Sequence, residues 1–252
     1  MAELFDKIRV ALLENEFAEK VKFVFFEKDR WKFITKGLLT TLEVTFLALL
    51  VGLLIGIVVA IIRTSHDQLK EESKKGVGGF FLKLANIICK IYLTVIRGTP
   101  VLVQLLLMYF VILLPLDSKI MVAVLTFGIN SGAYVAEIFR SGIMSIDKGQ
   151  MEAGRSLGLS YVTTMVKVIL PQALKNVLPA LVNEIIALLK ETSICGFIGL
   201  NELTRGGDII RGATFEAFLP LIIVAVIYLA IVMLFTWLMG KIERRLRESD
   251  IR

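Results

Sequence analysis

Three groups of residues in this chain have types and spacings suited to chemistry. Asn130, Tyr134 and Glu137 fall at i, i+4 and i+7, which puts them on one face of a helix. Asn183, Glu184, Ala187, Lys190 and Glu191 form a second stripe further along. Both stripes lie in apolar runs, where amides and charges are costly unless they face a partner or water. They read either as walls of a solute path or as polar contacts that hold a helix bundle together. In the second reading Glu137 or Glu184 pairs with Lys190 or with backbone donors. Arg97 stands beside Gly98 and Pro100, where a bend is expected, and serves as a contact for a carboxylate or inner gate, or as a snorkelling anchor. Glu43 and Gln104 lean towards the structural role. The third group, 152–173 (EAGRSLGLSYVTTMVKVILPQA), is polar and glycine-broken between long apolar runs, as an element gripping something outside the membrane would be.

Other chemistries lack their residues. No G-x-x-x-x-G-K-[ST] string occurs, so the chain has no phosphate cradle of the P-loop kind. The single histidine, His66, lies in a charged stretch with no partner for nucleophilic catalysis, so no catalytic residue is expected. Cys89 and Cys195 fall in segments expected at opposite ends of the fold, which argues against a disulfide, and no metal site is expected.

The elements that position these groups are membrane spans. Of 252 residues 56% are hydrophobic and mean hydropathy is +0.75, too apolar for a soluble domain. The net charge of +6 does not imply nucleic acid, because Lys and Arg gather at the ends of apolar runs. Five spans are expected: 37–62, 100–115, 119–144, 177–196 and 216–240. The second has a short apolar run and is expected to continue a helix over 77–96, whose Lys83 and Lys90 share one face and place it partly in the interface; counted separately, 77–96 would make six. Gly52 and Gly56 form a G-x-x-x-G pair that serves close helix approach or ordinary packing. Residues 63–76 read as a charged loop.

Residues 1–36 place Phe5, Ile8, Leu12, Phe17 and Val21 at helical spacing among eight basic and seven acidic residues. They read as an amphipathic surface helix or a solvated tail, and they lack the apolar core of a cleavable signal peptide. Segments 63–97, 140–176 and 241–252 carry 17 Lys or Arg, against three (Lys119, Arg205, Arg211) in the loops opposite. The positive-inside bias therefore puts 152–173 and the C-terminus in the cytoplasm, and an odd span count leaves the basic tail 1–36 outside, against the rule.

Around the third group, Asp147, Gly149 and Gln150 open a polar segment and a helix is expected over 151–157. Gly158 permits a turn, Ser160 caps a second helix, and Pro171 ends or bends it. Glu152-Ala153-Gly154, Gly158 six residues after the glutamate, and Leu170-Pro171 resemble the "EAA" loop of ABC importer permeases, with Gly154 where a third alanine is usual and Val168 where isoleucine is usual. Arg97-Gly98-Thr99-Pro100, Gln104, Asn130-Ser131-Gly132-Ala133-Tyr134, Ala136-Glu137, Lys148-Gly149-Gln150, Pro171-Gln172-Ala173 and Lys190-Glu191-Thr192-Ser193 are similar to the polar amino-acid branch of that family, the histidine, arginine and glutamine systems. Glu191 stands where Asp is frequent. The resemblance covers about 37–240.

It implies an all-α membrane protein of the type I ABC importer (MetI-like) fold, with about five transmembrane helices and a cytoplasmic coupling-helix loop. The parts are an extension (1–36), the transmembrane domain (37–240) and a basic cytoplasmic tail (241–252). It implies ATPase docking through Gln150, Glu152, Ala153, Gly154, Leu157, Gly158 and Leu159. The implied substrate path runs along Arg97, Gln104, Asn130, Ser131, Tyr134, Glu137, Asn183, Glu184, Lys190, Glu191 and Thr192. The implied partners are a cytoplasmic ABC ATPase dimer that binds ATP and Mg, a second permease subunit (the same chain or a relative), an extracytoplasmic solute-binding protein, an amino-acid substrate and membrane lipid. The implied location is the cell inner membrane, multi-pass, and the implied transport is inward movement of a polar amino acid, with the acidic excess of the spans pointing to a cationic one. Another small organic solute or an ion-coupled secondary carrier remains as an alternative.

Overall fold

The structure, a computed structural model, describes residues 15–68 and 76–248, with side chains as far as residue 243. Among these residues regular structure is entirely helical. Residues 15–21 form α1, which continues through a wide turn (Lys22–Phe26) and a tight one (Glu27–Asp29). Then follow α2 (Trp31–Gln68), α3 (Val77–Gly98), α4 (Val101–Leu107, extended by a wide turn to Ile112) and α5 (Lys119–Met144). α6 (Lys148–Ser156), α7 (Tyr161–Thr164), α8 (Leu170–Glu191), α9 (Leu203–Thr214) and α10 (Phe218–Glu248) complete the chain.

The organising contact is a glycine seam between α2 and α5. A Cβ at Gly52 would lie 3.1 Å from the Ser131 side chain, and one at Gly56 only 2.4 Å from Val135 Cγ1. Reciprocally, a Cβ at Gly128 would meet Val51 at 2.6 Å and one at Gly132 would meet Ile55 at 3.0 Å. The expected G-x-x-x-G face on α2 is thus matched by a second on α5. Without side-chain bulk the two backbones approach closely, and packing substitutes for a hydrophobic force that lipid does not supply.

α2 holds 38 residues, about 57 Å at 1.5 Å per residue, and overshoots a bilayer core of about 30 Å. It therefore absorbs residues 63–68 of the expected charged loop; residues 69–75 of that loop, like Phe5, Ile8 and Leu12, lie outside the described residues. α2, α3, α5 and α10 are long and apolar enough to cross a membrane. α3 and α4 do not form one continuous helix as expected: Thr99 and Pro100 are extended (ψ 147° and 133°), because proline lacks an N–H and pushes its predecessor out of the helical region. The two pieces pack at different depths. Cys89 and Leu93 of α3 join Val59, Ala133 and Ala136 in the cytoplasmic half, whereas Leu105 of α4 joins Val44, Ala48, Phe127 and Leu188 in the outer half. Together they make one apolar stretch interrupted at Thr99 and Pro100, of which α3 alone is long enough to cross a membrane, while Val101–Ile112, within the expected span 100–115, is a shorter apolar helix. Cys195 belongs to the outer cluster, far from Cys89 in packing, and both thiols are free.

α8, which holds most of the expected fourth span 177–196, is not among the helices apolar enough to cross by composition, because Lys175, Asn176, Asn183 and Glu184 lower its hydropathy. Pro171 does not end the helix begun at Tyr161: a wide turn over Met165–Ile169, in which Leu170 N–H reaches Met165 O, precedes the proline and accommodates its missing donor. The helix stops at Glu191, earlier than the expected 196, and Thr192–Ile198 winds tightly to Gly199 at φ +71°. α9 lies against the outer end of α2, where Cβ atoms at Gly37 and Gly206 would collide with the backbones of Glu202 and Phe33. Val24 of the extension is fully buried beside Ile34, Leu203, Ile210 and Leu219, and Lys20 pairs with Glu216 at 3.0 Å. The described part of the extension ahead of α2, residues 15–30, thus packs on α2, α9 and α10. At the other end α10 runs on to Glu248, across the expected tail boundary.

Candidate functional site: a docking elbow and a polar interior

The cytoplasmic element between α5 and α8 is built by its caps. Asp147 accepts a hydrogen bond from Gly149 N–H at 2.6 Å, so α6 starts at Lys148 rather than at 151. Its C-terminus closes on Gly158 at φ +82°: Leu159 N–H donates to Gly154 O at 3.1 Å and Gly158 N–H to Arg155 O at 3.1 Å. This double bond pattern requires a left-handed residue, which is why glycine stands there. Ser160 caps α7 by accepting from Thr163 N–H at 3.1 Å.

Of the expected docking residues, Gln150, Glu152, Ala153, Leu157, Gly158 and Leu159 are exposed. Leu157 is 82% exposed, a large apolar side chain held on a rigid tip. Val162 and Val166, absent from the sequence-based set, extend the apolar surface. Gly154 faces inward: a Cβ there would stand 2.5 Å from Thr164 Cγ2. The departure from the usual alanine has a packing cause, since α6 lies directly on Thr164.

The expected path residues separate into three sets. Arg97 lies 5.5 Å from the Tyr134 ring centroid and 3.9 Å from Glu137, which Arg140 holds at 2.9 Å. Gln104 accepts from Asn130 Nδ2 at 2.9 Å while donating to Ile96 O and Thr99 Oγ1, both at 2.8 Å, and so fastens the break between α3 and α4. Ser131 donates to Glu184 Oε1 at 2.7 Å, joining α5 to α8. The stripe on α5 is accordingly divided, because Asn130 and Ser131 are buried in interhelical bonds while Tyr134 and Glu137 reach an open face.

Lys190 is exposed and, among the described residues, makes no ion pair with Glu137 or Glu184; those carboxylates are held by Arg140 and Ser131 instead. Asn183 is exposed and Glu191 half-buried, whereas Thr192 is fully buried with its hydroxyl on Leu189 O at 2.7 Å. Thr192 therefore lines no opening in this conformation. No group of His, Cys, Asp and Glu suited to a metal occurs among the described residues.

Residues 79–248 match the family model described as "Binding-protein-dependent transport system inner membrane component". The chain belongs to this family. It is 38% identical over 221 residues to the arginine transport system permease protein ArtQ of Bacillus subtilis, covering 86% of this chain and 94% of that one. It is 36% identical over 217 residues to a putative glutamine transport system permease protein GlnP of Rickettsia typhi, covering 85% and 93%. Among solved structures, one described as an amino acid ABC transporter with histidines matches with TM-score 0.75 and 41% identity over 88% of this chain and 98% of that one. An inward-facing MetNI methionine ABC transporter matches with TM-score 0.71 at 20% identity over 86% and 97%, a likeness of fold.

As a permease of this family the chain is a multi-pass membrane protein of the type I importer fold, and the ion-coupled carrier is set aside. The interrupted α3–α4 stretch, a feature shared with such carriers, does not by itself separate the two classes. The permease family leaves ATP hydrolysis to a separate ATPase subunit.

Sequence reasoning missed several polar residues of this permease. Arg140, three residues after Glu137, was available from i, i+3 spacing. Gln68, whose Oε1 accepts from the Tyr161 hydroxyl, and Asp67, 3.6 Å from Arg140, sat in an expected loop and had no local signal. Glu202 caps α9, accepting from Thr204 and Arg205 N–H at 2.7 Å each, and its burial raises the carboxyl above the usual range.

Proposed function

We propose that this chain carries a polar amino acid inward as the permease subunit of a complex with an ABC ATPase dimer, a second permease subunit and an extracytoplasmic solute-binding protein. The observation that carries the reading is the cytoplasmic elbow: two short capped helices turned at Gly158, with Leu157 projecting from a tip whose backbone bonds are already satisfied. Such an element transmits rotation, because a partner's push moves it as a body. Gln150, Glu152, Ala153, Leu157, Gly158 and Leu159 form the docking face, seated through Gly154. ATP and Mg are bound by the ATPase partner.

The chemistry of Arg97, Tyr134 and Glu137 supports the amino-acid assignment. A guanidinium and a carboxylate presented side by side complement the carboxylate and ammonium of an amino acid. Asn183 and Glu191 continue polar lining along α8, while Gln104, Asn130, Ser131 and Glu184 hold the helices that carry it. The names of the relatives, glutamine and arginine systems, favour a long polar side chain.

Reconstitution tests the reading. Proteoliposomes holding the permease with its ATPase should hydrolyse ATP faster when binding protein and glutamine or arginine are added, and should accumulate that amino acid. Accumulation driven by an ion gradient without ATP would refute it.

A further inference from the structure

The docking elbow lies between α5 and α8 in sequence, yet it is also fastened to α2. Tyr161, the first residue after the Ser160 cap, donates its hydroxyl to Gln68 Oε1 on the last turn of α2, 93 positions earlier. The neighbouring Asp67 lies 3.6 Å from Arg140 of α5. Arg140 holds Glu137 at 2.9 Å, and Glu137 lies 3.9 Å from Arg97 on the last turn of α3. A succession of polar contacts therefore runs from the elbow, along the overhang of α2, to the interruption at Thr99 and Pro100.

The seam between α2 and α5 explains why such contacts matter. It is a row of small residues packed by dispersion and shape, which brings backbones close but has few directional bonds to set the helices in register. Hydrogen bonds and ion pairs are directional. Those at the cytoplasmic overhang pin α2 both to the elbow and to α5.

We propose that Tyr161–Gln68 and Asp67–Arg140 form a strut that makes α2 a second receiver of the ATPase stroke and, through Arg140 and Glu137, positions Arg97 at the interruption between α3 and α4. Gln68, Asp67, Arg140 and Tyr161 are positioning residues in this scheme. It rests on the assignment of the elbow as the ATPase socket. Motion of the elbow then reaches the path by two routes: directly through α5 and α8, and through the overhang of α2. Loss of the second route leaves docking and hydrolysis in place but wastes part of the stroke.

The test uses the reconstituted complex and three readouts: ATPase co-purification, melting temperature, and amino acid moved per ATP hydrolysed. Tyr161→Phe removes one oxygen, and Tyr161→Phe with Asp67→Asn loosens both contacts. The double variant should dock and hydrolyse ATP as the parent does while transport per ATP falls at least about fivefold, the lower end of usual site-to-site coupling. Gln68→Glu, which keeps an acceptor for Tyr161, should retain the parent ratio, and Gln68→Leu should not. An unchanged ratio in the double variant overturns the strut, as does a lowered melting temperature without a change in ratio. Loss of ATPase docking in the double variant also overturns it, since the contacts would then build the socket itself. Normal docking by Gly158→Asp would instead remove the socket assignment on which the strut rests.

Discussion

Alanine at position 154 is a minimal perturbation with a calculable consequence. A Cβ there would lie 2.5 Å from Thr164 Cγ2, 2.9 Å from its Oγ1 and 3.3 Å from its Cβ. Carbon atoms in contact prefer about 3.5–4.0 Å, so α6 must lift by about 1 Å or Thr164 must turn. Turning is opposed, because Thr164 is fully buried, β-branched and donates to Ser160 O at 3.0 Å; breaking that bond costs about 0.5–1.5 kcal/mol. Lifting α6 costs about 1–3 kcal/mol, the usual range for an extra methyl in a packed site. Borne by the docking equilibrium, a strain of that size weakens ATPase binding by about 5- to 150-fold. Titrating nanodisc-held permease with ATPase measures the loss for Gly154→Ala. Thr164→Ala removes both colliding atoms, so Gly154→Ala with Thr164→Ala should recover most of it, a positive interaction in the double-mutant cycle. Parent-like docking by Gly154→Ala, or no recovery in the double variant, would refute the seating of α6 on Thr164.

Gly158→Asp places a side chain at φ +82° where, among the described residues, nothing beyond its chain neighbours lies within 4 Å, so folding should lose only about 1–2 kcal/mol while ATPase co-purification and transport disappear. Gly56→Val drives side-chain atoms into Val135, and the melting temperature should fall by the equivalent of about 2–3 kcal/mol, whereas Gly240→Ala, with open space around it, should be neutral or slightly stabilising. Glu202→Ala strands the N–H groups of Thr204 and Arg205 and should cost about 1–2 kcal/mol in thermal unfolding. Because burial raises the Glu202 carboxyl above its ordinary value of 4.5, its contribution to stability is full below that pH and is lost as pH climbs through the raised value. Glu202→Gln should flatten that part of the stability profile, and an unchanged pH slope would count against the assignment.

Much of the docking element was legible in sequence because its signals are local. Asp147, Gly158 and Ser160 act within three or four residues of themselves, so cap, turn and cap can be read in order; the one-turn error at the start of α6 came from treating Asp147 as part of a polar lead-in rather than as the cap. The third span was placed at 119–144, the bounds of α5, since a long apolar run with polar flanks states its own ends. The expected first span, 37–62, is shorter than α2 because the overhang of α2 is charged, and hydropathy registers the bilayer rather than the helix.

The polar interior was less legible. Stripes at i, i+4 and i+7 correctly grouped residues on one helix, but a helix face can divide between a neighbour and open space, as Asn130 and Glu137 do. Lys190 is the only basic residue of its stripe and so the natural partner for the glutamates, yet Arg140, one turn further along α5, holds Glu137, and the packing of α5 on α8 brings Ser131 to Glu184.

By itself the sequence determined that the chain is an all-helical membrane protein resembling a permease, where its third span begins and ends, and how its cytoplasmic elbow is capped. The helical membrane class and the capped elbow follow from hydropathy, charge asymmetry and turn chemistry, which act over a few residues or sum along a segment, and the permease reading follows from the resemblance of the 152–173 loop and the Arg97–Pro100 and Asn130–Tyr134 strings to a family. Only the tertiary structure decided which faces of those helices meet. The match of the α2 and α5 glycine rows, the seating of Gly154 on Thr164 and the fastening of Tyr161 to Gln68 depend on close approach between segments distant in the chain, and steric fit of that kind has no local signature.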